Sequence, residues 1–402
     1  MPIPTPFHAR TSEHNNNLDW KDWAGYFAAN SYNVVNDFEY YAFRHSAGLV
    51  DITPLFKYKV TGKDATRFLS RVMVKDISKL KLHQATYCCW CDAEGRVVDD
   101  GTVMYFGENE YFVTAADPSY SWFSRLVKKL DVQIEDITDT HCGLALQGPT
   151  SREILKNMCD AELDGLKYFW TTSAKADGFD FKISRTGYTG DLGYELWVRN
   201  EDALRLFDAI WDAGQNFNIR MSGIAALDIA RIEAGLIMNG VDYHSSIHAL
   251  IPDQMSTPYE LGLGWMVHLD RDPFMGQKAL KAEKQNGPKW ATVGIDINWP
   301  DLEALYHVHG LPPHVDAAAW RHSVPIYHKT QVHKQIGYAT SGTWSPELKK
   351  NIALATIEAE YAKPGTEVNF EVMVEHHRKT VRAEICKPQF FNPKRKRSIL
   401  KK

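Results

Sequence analysis

The residues best suited to chemistry in this 402-residue chain lie in the stretch SRTGYTGDLGYELW, residues Ser184–Trp197. Its glycines recur at every third position, which favours tight turns with positive φ over a regular helix. Tyr188 offers an aromatic face and a hydroxyl, and Glu195 opens a predicted strand. This carboxylate could accept two parallel N–H bonds from a planar polar heterocycle. The alternative is a surface hairpin with Glu195 facing water, and the stretch taken alone favours that alternative.

A second candidate is the acid pair Asp99–Asp100 within the sequence VVDDGTVMY. The sequence predicts two strands, Thr86–Cys91 and Arg96–Phe106, joined by the turn Asp92–Gly95. Neighbouring side chains of a strand point to opposite faces, so at least one of the two acids should enter the protein. A carboxylate there needs partners or a function. The alternative is that both acids lie near a strand end and are solvated. Gly101, which is compatible with a bulge at that point, keeps this alternative open.

The composition indicates an ordinary globular protein of two or three domains, because 44% of the residues are hydrophobic, 24% are charged and the net charge is −4. The mild acidity argues against a nucleic-acid partner, and no apolar run is long enough for a membrane span. The N-terminus resembles neither a signal peptide nor a transit peptide. The six cysteines do not form a disulfide framework, so we expect reduced thiols and a cytoplasmic location.

The elements that must position these residues suggest an α+β fold. Strands and helices alternate up to about residue 288 without a repeated β-α unit, and short strands dominate after Pro288. We therefore expect an α+β domain at residues 1–140, whose N-terminal segment could pack elsewhere, a second α+β domain at 141–288, and a β domain at 289–402. Neither a G-x-G-x-x-G after a strand nor a Walker loop is present, which leaves no evident site for a nicotinamide, a flavin or a nucleoside triphosphate.

Five stretches resemble, in the same order, the glycine cleavage T-protein family, the tetrahydrofolate-dependent aminomethyltransferases. They are VVDDGTVMY, ALQGPT, SRTGYTGDLGYE, TPYELGLGWMV and TSGTWSPELKKNIALA. The resemblance extends roughly from Ala42 to Pro388. It implies a three-domain cloverleaf around a central folate channel, with two α+β domains and a C-terminal β-barrel or jelly-roll-like domain.

The resemblance also implies roles for individual residues and tetrahydrofolate as the cofactor. Asp100 corresponds to the family's catalytic aspartate, close to N5 and N10 of the folate. Tyr87, Tyr188 and Glu195 correspond to folate-contacting residues, with Glu195 gripping the aminopyrimidine edge of the pterin.

The chain departs from the family pattern where the reacting end of the folate is expected. Leu227 replaces a family arginine, and Pro54 lies where T-proteins have histidine in Asp-Val-Ser-His-Met. The loop Tyr243–Met255 is longer than the corresponding T-protein loop. We expect residues of these regions and one aromatic residue of the first hairpin on the substrate side, namely Trp90, Leu227, Tyr243, His244 and His248.

These departures indicate that the folate-binding residues of the family are retained, whereas the residues around the substrate differ from those of T-proteins. We therefore expect a tetrahydrofolate-dependent methyltransferase or demethylase that moves a methyl group from a small methylated donor (a sulfonium, amine or methoxy compound) to N5 of the folate. One alternative is a true T-protein, which takes an aminomethyl group from a lipoyl carrier protein and releases ammonia. Another is a non-catalytic folate-binding accessory protein, although the presence of Asp100, Tyr188 and Glu195 argues against it.

Two further features are predicted to have no catalytic role. Six histidines crowd the region His307–His333, and His307 and His309 could share a strand face as metal ligands. The Pro312-Pro313 pair favours a solvated insertion, so we expect no metal site. The basic tail Lys394–Lys402 is predicted to be a frayed, solvated terminus rather than a localisation or nucleic-acid signal.

Overall fold

The structure, a computed structural model, describes residues 1–399. Its strands are β1 (Asp19–Trp23), β2 (Tyr26–Ser31), β3 (Ala47–Asp51), β4 (Phe56–Thr61), β5 (Ala85–Cys91), β6 (Val97–Gly107), β7 (Glu110–Ala115), β8 (Gln133–Asp136), β9 (His141–Gln147), β10 (Thr171–Ala176), β11 (Phe179–Ser184), β12 (Gly193–Arg199), β13 (Ile219–Met221), β14 (Trp290–Ile297), β15 (Val324–His328), β16 (Gln335–Ser345), β17 (Lys350–Glu358), β18 (Glu367–Val374) and β19 (His377–Cys386).

The α-helices are α1 (His8–His14), α2 (Asp37–His45), α3 (Ala65–Val72), α4 (Tyr120–Val127), α5 (Ser151–Met158), α6 (Ala203–Gly214), α7 (Ile224–Glu233), α8 (Gln277–Asn286) and α9 (Trp299–His307). Among residues 1–399, no helix combines the length and the apolar character that a membrane crossing requires.

The first sheet has the strand order β5-β6-β7-β4-β8. Helix α3 packs on it because its apolar residues recur at helical spacing and bury Phe68, Leu69 and Val72. The segment that follows α7 contributes to the same hydrophobic core through residues such as Tyr243 and Phe274. The loop after α7 is thereby brought against β5 and β6.

The second sheet has the order β10-β11-β12-β9-β3-β13. Strand β3 comes from the N-terminal region, yet it pairs antiparallel with β9 and parallel with β13. The N-terminal segment up to residue 51 therefore packs with the second sheet. Strands β11 and β12 are paired, and the loop between them carries the glycine-rich stretch.

Residues 290–386 form a closed barrel with the order β14-β17-β16-β15-β18-β19. Its interior is lined by aliphatic side chains such as Ile295, Ile326 and Ile357, which alternate with outward-facing residues. The mixed α+β body and the C-terminal β-barrel confirm the predicted fold class. Strand β15 was not predicted.

Helix α7 lies where the two sheets and the barrel meet. Its residues from Ala225 to Glu233 are all buried, and it packs against α2, β2, β16 and β17. Glu233 accepts hydrogen bonds from Arg44 of α2 at 2.6 Å and from the Ser345 hydroxyl of the barrel at 2.5 Å. A buried ion pair holds its geometry only when its remaining polar atoms are satisfied, as they are here. Helix α7 thus fixes the three units relative to one another.

Candidate active site

The register of the first hairpin separates the two adjacent acids. Asp100 lies opposite Cys89, and Asp99 lies opposite Trp90, so the two carboxylates belong to opposite faces of the sheet. Asp99 is fully buried, whereas Asp100 is half-buried. The expectation that at least one acid enters the protein is confirmed.

The Asp99 carboxylate is hydrogen-bonded within the protein and has a structural role. It accepts hydrogen bonds from the backbone N–H groups of Ala116 and Asp117 at 3.1 and 2.9 Å and from the Asn239 amide at 3.0 Å. Burial and the nearby Asp100 carboxylate raise the pKa of Asp99 well above its ordinary value. Asp99 therefore anchors the loop after β7 and the segment after α7 on the hairpin.

Asp100 is held between two phenols. Tyr87 donates a hydrogen bond of 2.8 Å to one carboxylate oxygen, and the hydroxyl of Tyr243 donates to the other. Burial raises the pKa of Asp100, and the hydrogen bonds from Tyr243 and Tyr87 act in the opposite direction. Burial and the Asp100 charge raise the pKa of both tyrosines, so they remain donors. The carboxylate is thus oriented in a partly dehydrated site.

Glu195 lies in β12, opposite Ser184 of β11. Its Oε2 accepts hydrogen bonds from the hydroxyls of Thr186 at 2.7 Å and Ser184 at 3.5 Å. Burial raises the pKa of Glu195, and these two hydroxyls oppose that effect. Among residues 1–399, no group donates to Oε1, although the side chain is only half-buried. This carboxylate therefore retains an acceptor oxygen for a ligand.

Tyr188 lies in the loop between β11 and β12 and is half-buried. Its hydroxyl donates a hydrogen bond of 2.6 Å to the carbonyl of Ile237, so the aromatic face rather than the hydroxyl is left for a ligand. Burial raises the pKa of Tyr188, and the Asp100 charge contributes to the same shift.

The conformation of this loop requires its glycines. A Cβ on Gly187 would lie 1.9 Å from Oε1 of Gln147, and Gly190 has a φ of +76°. The Gln147 amide nitrogen donates to the carbonyls of Thr186 and Tyr194, both at 3.2 Å. Gln147 of the ALQGPT stretch thus fills the space that the glycines leave open, a role that the sequence analysis did not assign.

The residue that follows Leu227 in helix α7 is paired with a cation from the barrel domain. Leu227 is buried in α7 and belongs to the same apolar cluster as Tyr188. Beside it, Asp228 accepts hydrogen bonds from Arg231 and from Arg321, both at 2.7 Å. Arg321 precedes β15, and no short-range sequence pattern links it to α7.

Three substrate-side candidates lie away from the carboxylate. Trp90 is fully buried and packs on Phe123 with ring centroids 5.2 Å apart, so it belongs to the core on the Asp99 side. His244 and His248 are exposed, and Nε2 of His248 lies 3.8 Å from the Asp117 carboxylate. Tyr243 of the long loop hydrogen-bonds Asp100, whereas the side chains of His244 and His248 are exposed.

The histidine-rich region and the basic tail lie outside the candidate site. His307 ends helix α9 and His309 lies in the following turn, so the two do not share a strand face. Within residues 1–399, no group of three or more histidine, cysteine or acidic side chains is placed to hold a metal ion. The tail is not a frayed terminus up to Ile399, since Lys396 is buried against the second unit; residues 400–402 lie outside the described part.

A cleft of about 380 Å³ on the barrel surface does not include any of the candidate residues. It is lined by residues that already have ionic partners, such as Lys350 with Asp296 and Arg382 with Asp301. We therefore assign the candidate site from the hydrogen-bond environments of Asp100, Tyr188 and Glu195 rather than from cavity size.

Two family models match the sequence. The GCVT N-terminal domain matches residues 7–271, and the glycine cleavage T-protein C-terminal barrel domain matches residues 308–392. An aminomethyltransferase of Caldanaerobacter subterraneus subsp. tengcongensis is 33% identical over 393 residues, which cover 96% of this chain and 95% of the relative. An aminomethyltransferase of Bacillus subtilis is 34% identical and covers 88% of this chain and 90% of its own length.

The fold has a counterpart among solved structures. The crystal structure of the glycine cleavage system aminomethyltransferase T from Bartonella henselae superimposes with a TM-score of 0.81 and covers 98% of this chain and 99% of its own. Its sequence identity is 22%, so this likeness concerns the fold.

Proposed function

Because this chain belongs to the glycine cleavage T-protein family, we propose that it is an aminomethyltransferase acting on an aminomethyl group carried by a lipoyl protein. The family is tetrahydrofolate-dependent, in agreement with the expected enzyme class and cofactor. The observation that carries the proposal is the Asp100 carboxylate held between the hydroxyls of Tyr87 and Tyr243. A fixed, partly buried carboxylate of this kind can stabilise positive charge on a carbon in transfer.

The residues present fit the pterin of tetrahydrofolate. Oε1 of Glu195 has an acceptor lone pair that no described residue uses, and a pterin edge offers paired N–H donors. Tyr188 presents an aromatic face, since its hydroxyl is used by Ile237. The folate supplies the nucleophilic nitrogen that receives the carbon. Glu195 and Tyr188 would bind and orient the ring.

Asp100 would act on the reacting end. Its negative charge is favourable beside the cationic carbon that forms as the amine leaves, and its two phenol partners keep it from rotating. The partial burial of this carboxylate lowers the local dielectric and strengthens the interaction. The carbon would lose its bonds to the carrier sulfur and to the amine, which leave as a thiol and as ammonia. Bonds to N5 and N10 of the folate would replace them, and the two protons from these nitrogens would go to the leaving groups.

The comparisons give no support to the expected demethylase branch. That expectation relied on the departures at Leu227 and Pro54, whereas relatives that match over 88% or more of the chain are aminomethyltransferases. The lipoyl carrier is therefore the partner that we propose, in place of a small methylated donor, and we expect the reaction in the cytoplasm.

The test is to supply the purified protein with tetrahydrofolate and an aminomethyl-loaded lipoyl carrier protein and to measure ammonia. We expect ammonia and methylene-tetrahydrofolate in equal amounts. A parallel panel of sulfonium, methylamine and methoxy donors should yield no methyl-tetrahydrofolate. Methyl-folate from that panel without ammonia from the carrier would reject the proposal in favour of a demethylase.

A further inference from the structure

The C-terminal segment 394–398 folds back onto the loop that carries Tyr188. Arg185, at the start of this loop, is fully buried, and its guanidinium donates to carbonyl oxygens of the segment. The distances are 3.3 Å to Arg395, 3.0 Å to Lys396 and 2.7 Å to Ser398. A buried guanidinium needs such acceptors, because its desolvation is otherwise uncompensated.

The other end of the same loop is held by a second contact to the segment. Nε and one terminal nitrogen of Arg395 donate to the two carboxylate oxygens of Asp191, both at 2.7 Å. The Asp191 side chain is buried, whereas the Arg395 side chain is 41% exposed, so only the carboxylate end of this bidentate pair is shielded from solvent. Arg395 also donates to the Arg44 carbonyl at 3.1 Å, which ties the segment to α2.

The two contacts to the segment 394–398 hold both ends of the loop Arg185–Asp191. Tyr188 lies between Arg185 and Asp191, so its ring is positioned by whatever fixes both ends of the loop. Fixing a binding residue before the ligand arrives lowers the ordering cost of binding. The segment 394–398 contacts the loop on both sides and contacts neither Asp100 nor Glu195 through any hydrogen bond.

We infer that the C-terminal segment 394–398 is a positioning element of the folate site, with Arg395 as its principal positioning residue. The segment acts through the loop Arg185–Asp191. The inference rests on the proposed function, in which Tyr188 and Glu195 bind the pterin. The effect of the segment is on folate affinity rather than on the chemical step.

The test compares two charge-removing variants of the same segment in the full-length protein. Arg395→Gln should raise the dissociation constant of tetrahydrofolate about tenfold by calorimetry, while kcat at saturating folate stays within about twofold. Lys394→Gln is the matched control, because its side chain is exposed and the affinity should not change. Arg395→Lys, which retains one donor to Asp191, should recover part of the affinity.

A change of less than about threefold for Arg395→Gln overturns the inference, and so does a lower melting temperature without a change in folate affinity. If Glu195→Gln weakens binding while Arg395→Gln does not, the role of the segment fails and the pterin grip stands. If neither variant weakens binding, the pterin grip itself fails. Neither result depends on the identity of the one-carbon donor.

Wild-type protein gives a second measurement that does not require the variant to fold. Amide hydrogen exchange with and without tetrahydrofolate should show added protection in both 185–191 and 394–398. Protection of the loop without protection of the segment contradicts the inference.

Discussion

The hydroxyl of Tyr87 donates a 2.8 Å hydrogen bond to the carboxylate of Asp100 across two paired strands of one hairpin. The bond joins the two residues from within the same sheet, so it does not depend on how the other units pack. Tyr243 completes the arrangement from the segment after α7. The position of this carboxylate therefore combines a local contact, fixed by strand pairing, with a long-range one.

Replacement of Asp100 by asparagine should separate catalysis from binding. Asp100→Asn retains the size of the side chain but removes the charge, so kcat should fall about a hundredfold while the folate dissociation constant changes little. Steady-state kinetics and calorimetry measure the two quantities. Asp99→Asn is the informative comparison, because Asp99 accepts backbone hydrogen bonds and its variant should lose stability. Unchanged kcat in Asp100→Asn would disprove the catalytic assignment.

Removal of the Tyr243 hydroxyl should move the acid limb of the pH–rate profile. Burial and the charge of Asp117 raise the pKa of Asp100, and the hydroxyls of Tyr243 and Tyr87 lower it. In Tyr243→Phe the pKa of Asp100 rises further, so as the pH falls the variant should lose activity at a higher pH than the wild-type protein does.

The matched control for this shift is Tyr259→Phe. The Tyr259 hydroxyl is buried and has no hydrogen-bond partner among residues 1–399, so its removal should leave the acid limb where it is. The measurement is kcat as a function of pH at saturating folate. A downward shift in Tyr243→Phe, or an equal shift in the control, contradicts the role of the phenol.

Replacement of Glu195 should affect folate binding first. In Glu195→Gln one acceptor oxygen becomes a donor and the charge is lost, so the paired bonds to the pterin edge cannot form. The expected loss is roughly 2 kcal/mol, or about thirtyfold in the dissociation constant. The control is Glu201→Gln, since Glu201 is exposed and pairs only with Arg199 at the surface. Equal folate affinity of the two variants by calorimetry would argue against the grip.

Lys396→Met should stabilise the protein at neutral pH. Burial lowers the pKa of Lys396 to about 8, although its ammonium lies 5.3 Å from the Tyr168 ring. In the unfolded chain the pKa of Lys396 has its ordinary value of 10.5, so between pH 8 and 10.5 the unfolded chain binds more protons than the folded protein. The wild-type protein therefore gains stability as the pH rises from about 8 towards 10.5.

The variant lacks this dependence. Lys396→Met should be about 1 kcal/mol more stable than the wild type below pH 8, and the difference should shrink at higher pH. Denaturant unfolding at several pH values measures it, with the exposed Lys394→Met as a control. A variant that is less stable at neutral pH would show that the charge of Lys396 is favourable where it lies.

Local patterns predicted much of the candidate site. The turn Asp92–Gly95 and the alternation of the flanking strands placed Asp99 and Asp100 on opposite faces, which the strand register confirms. The family stretches identified the α+β body, the C-terminal barrel and the cofactor class. The hairpin prediction depends on short-range periodicity and turn chemistry, which residue types specify directly, whereas the cofactor class and the barrel follow from the family resemblance.

Burial and distant partners could not be predicted in this way. Trp90 looked like a channel aromatic, but strand pairing puts it in the core with Asp99. The C-terminal tail is bound rather than solvated because Arg185 contacts Ser398 and Asp191 pairs with Arg395. The members of each pair are about two hundred residues apart in sequence. An ion pair at such a separation leaves no periodic signal, because it forms only after the units have packed.

The sequence by itself thus determined which residues could hold a pterin and supply a carboxylate, because hydrogen-bonding capacity belongs to residue type. The tertiary structure decided which of them meet. It brought Tyr243 to Asp100, left Oε1 of Glu195 without a protein donor among residues 1–399, and paired Arg321 with Asp228. The reason is that burial and opposite charge act through space, while sequence patterns report only near neighbours along the chain.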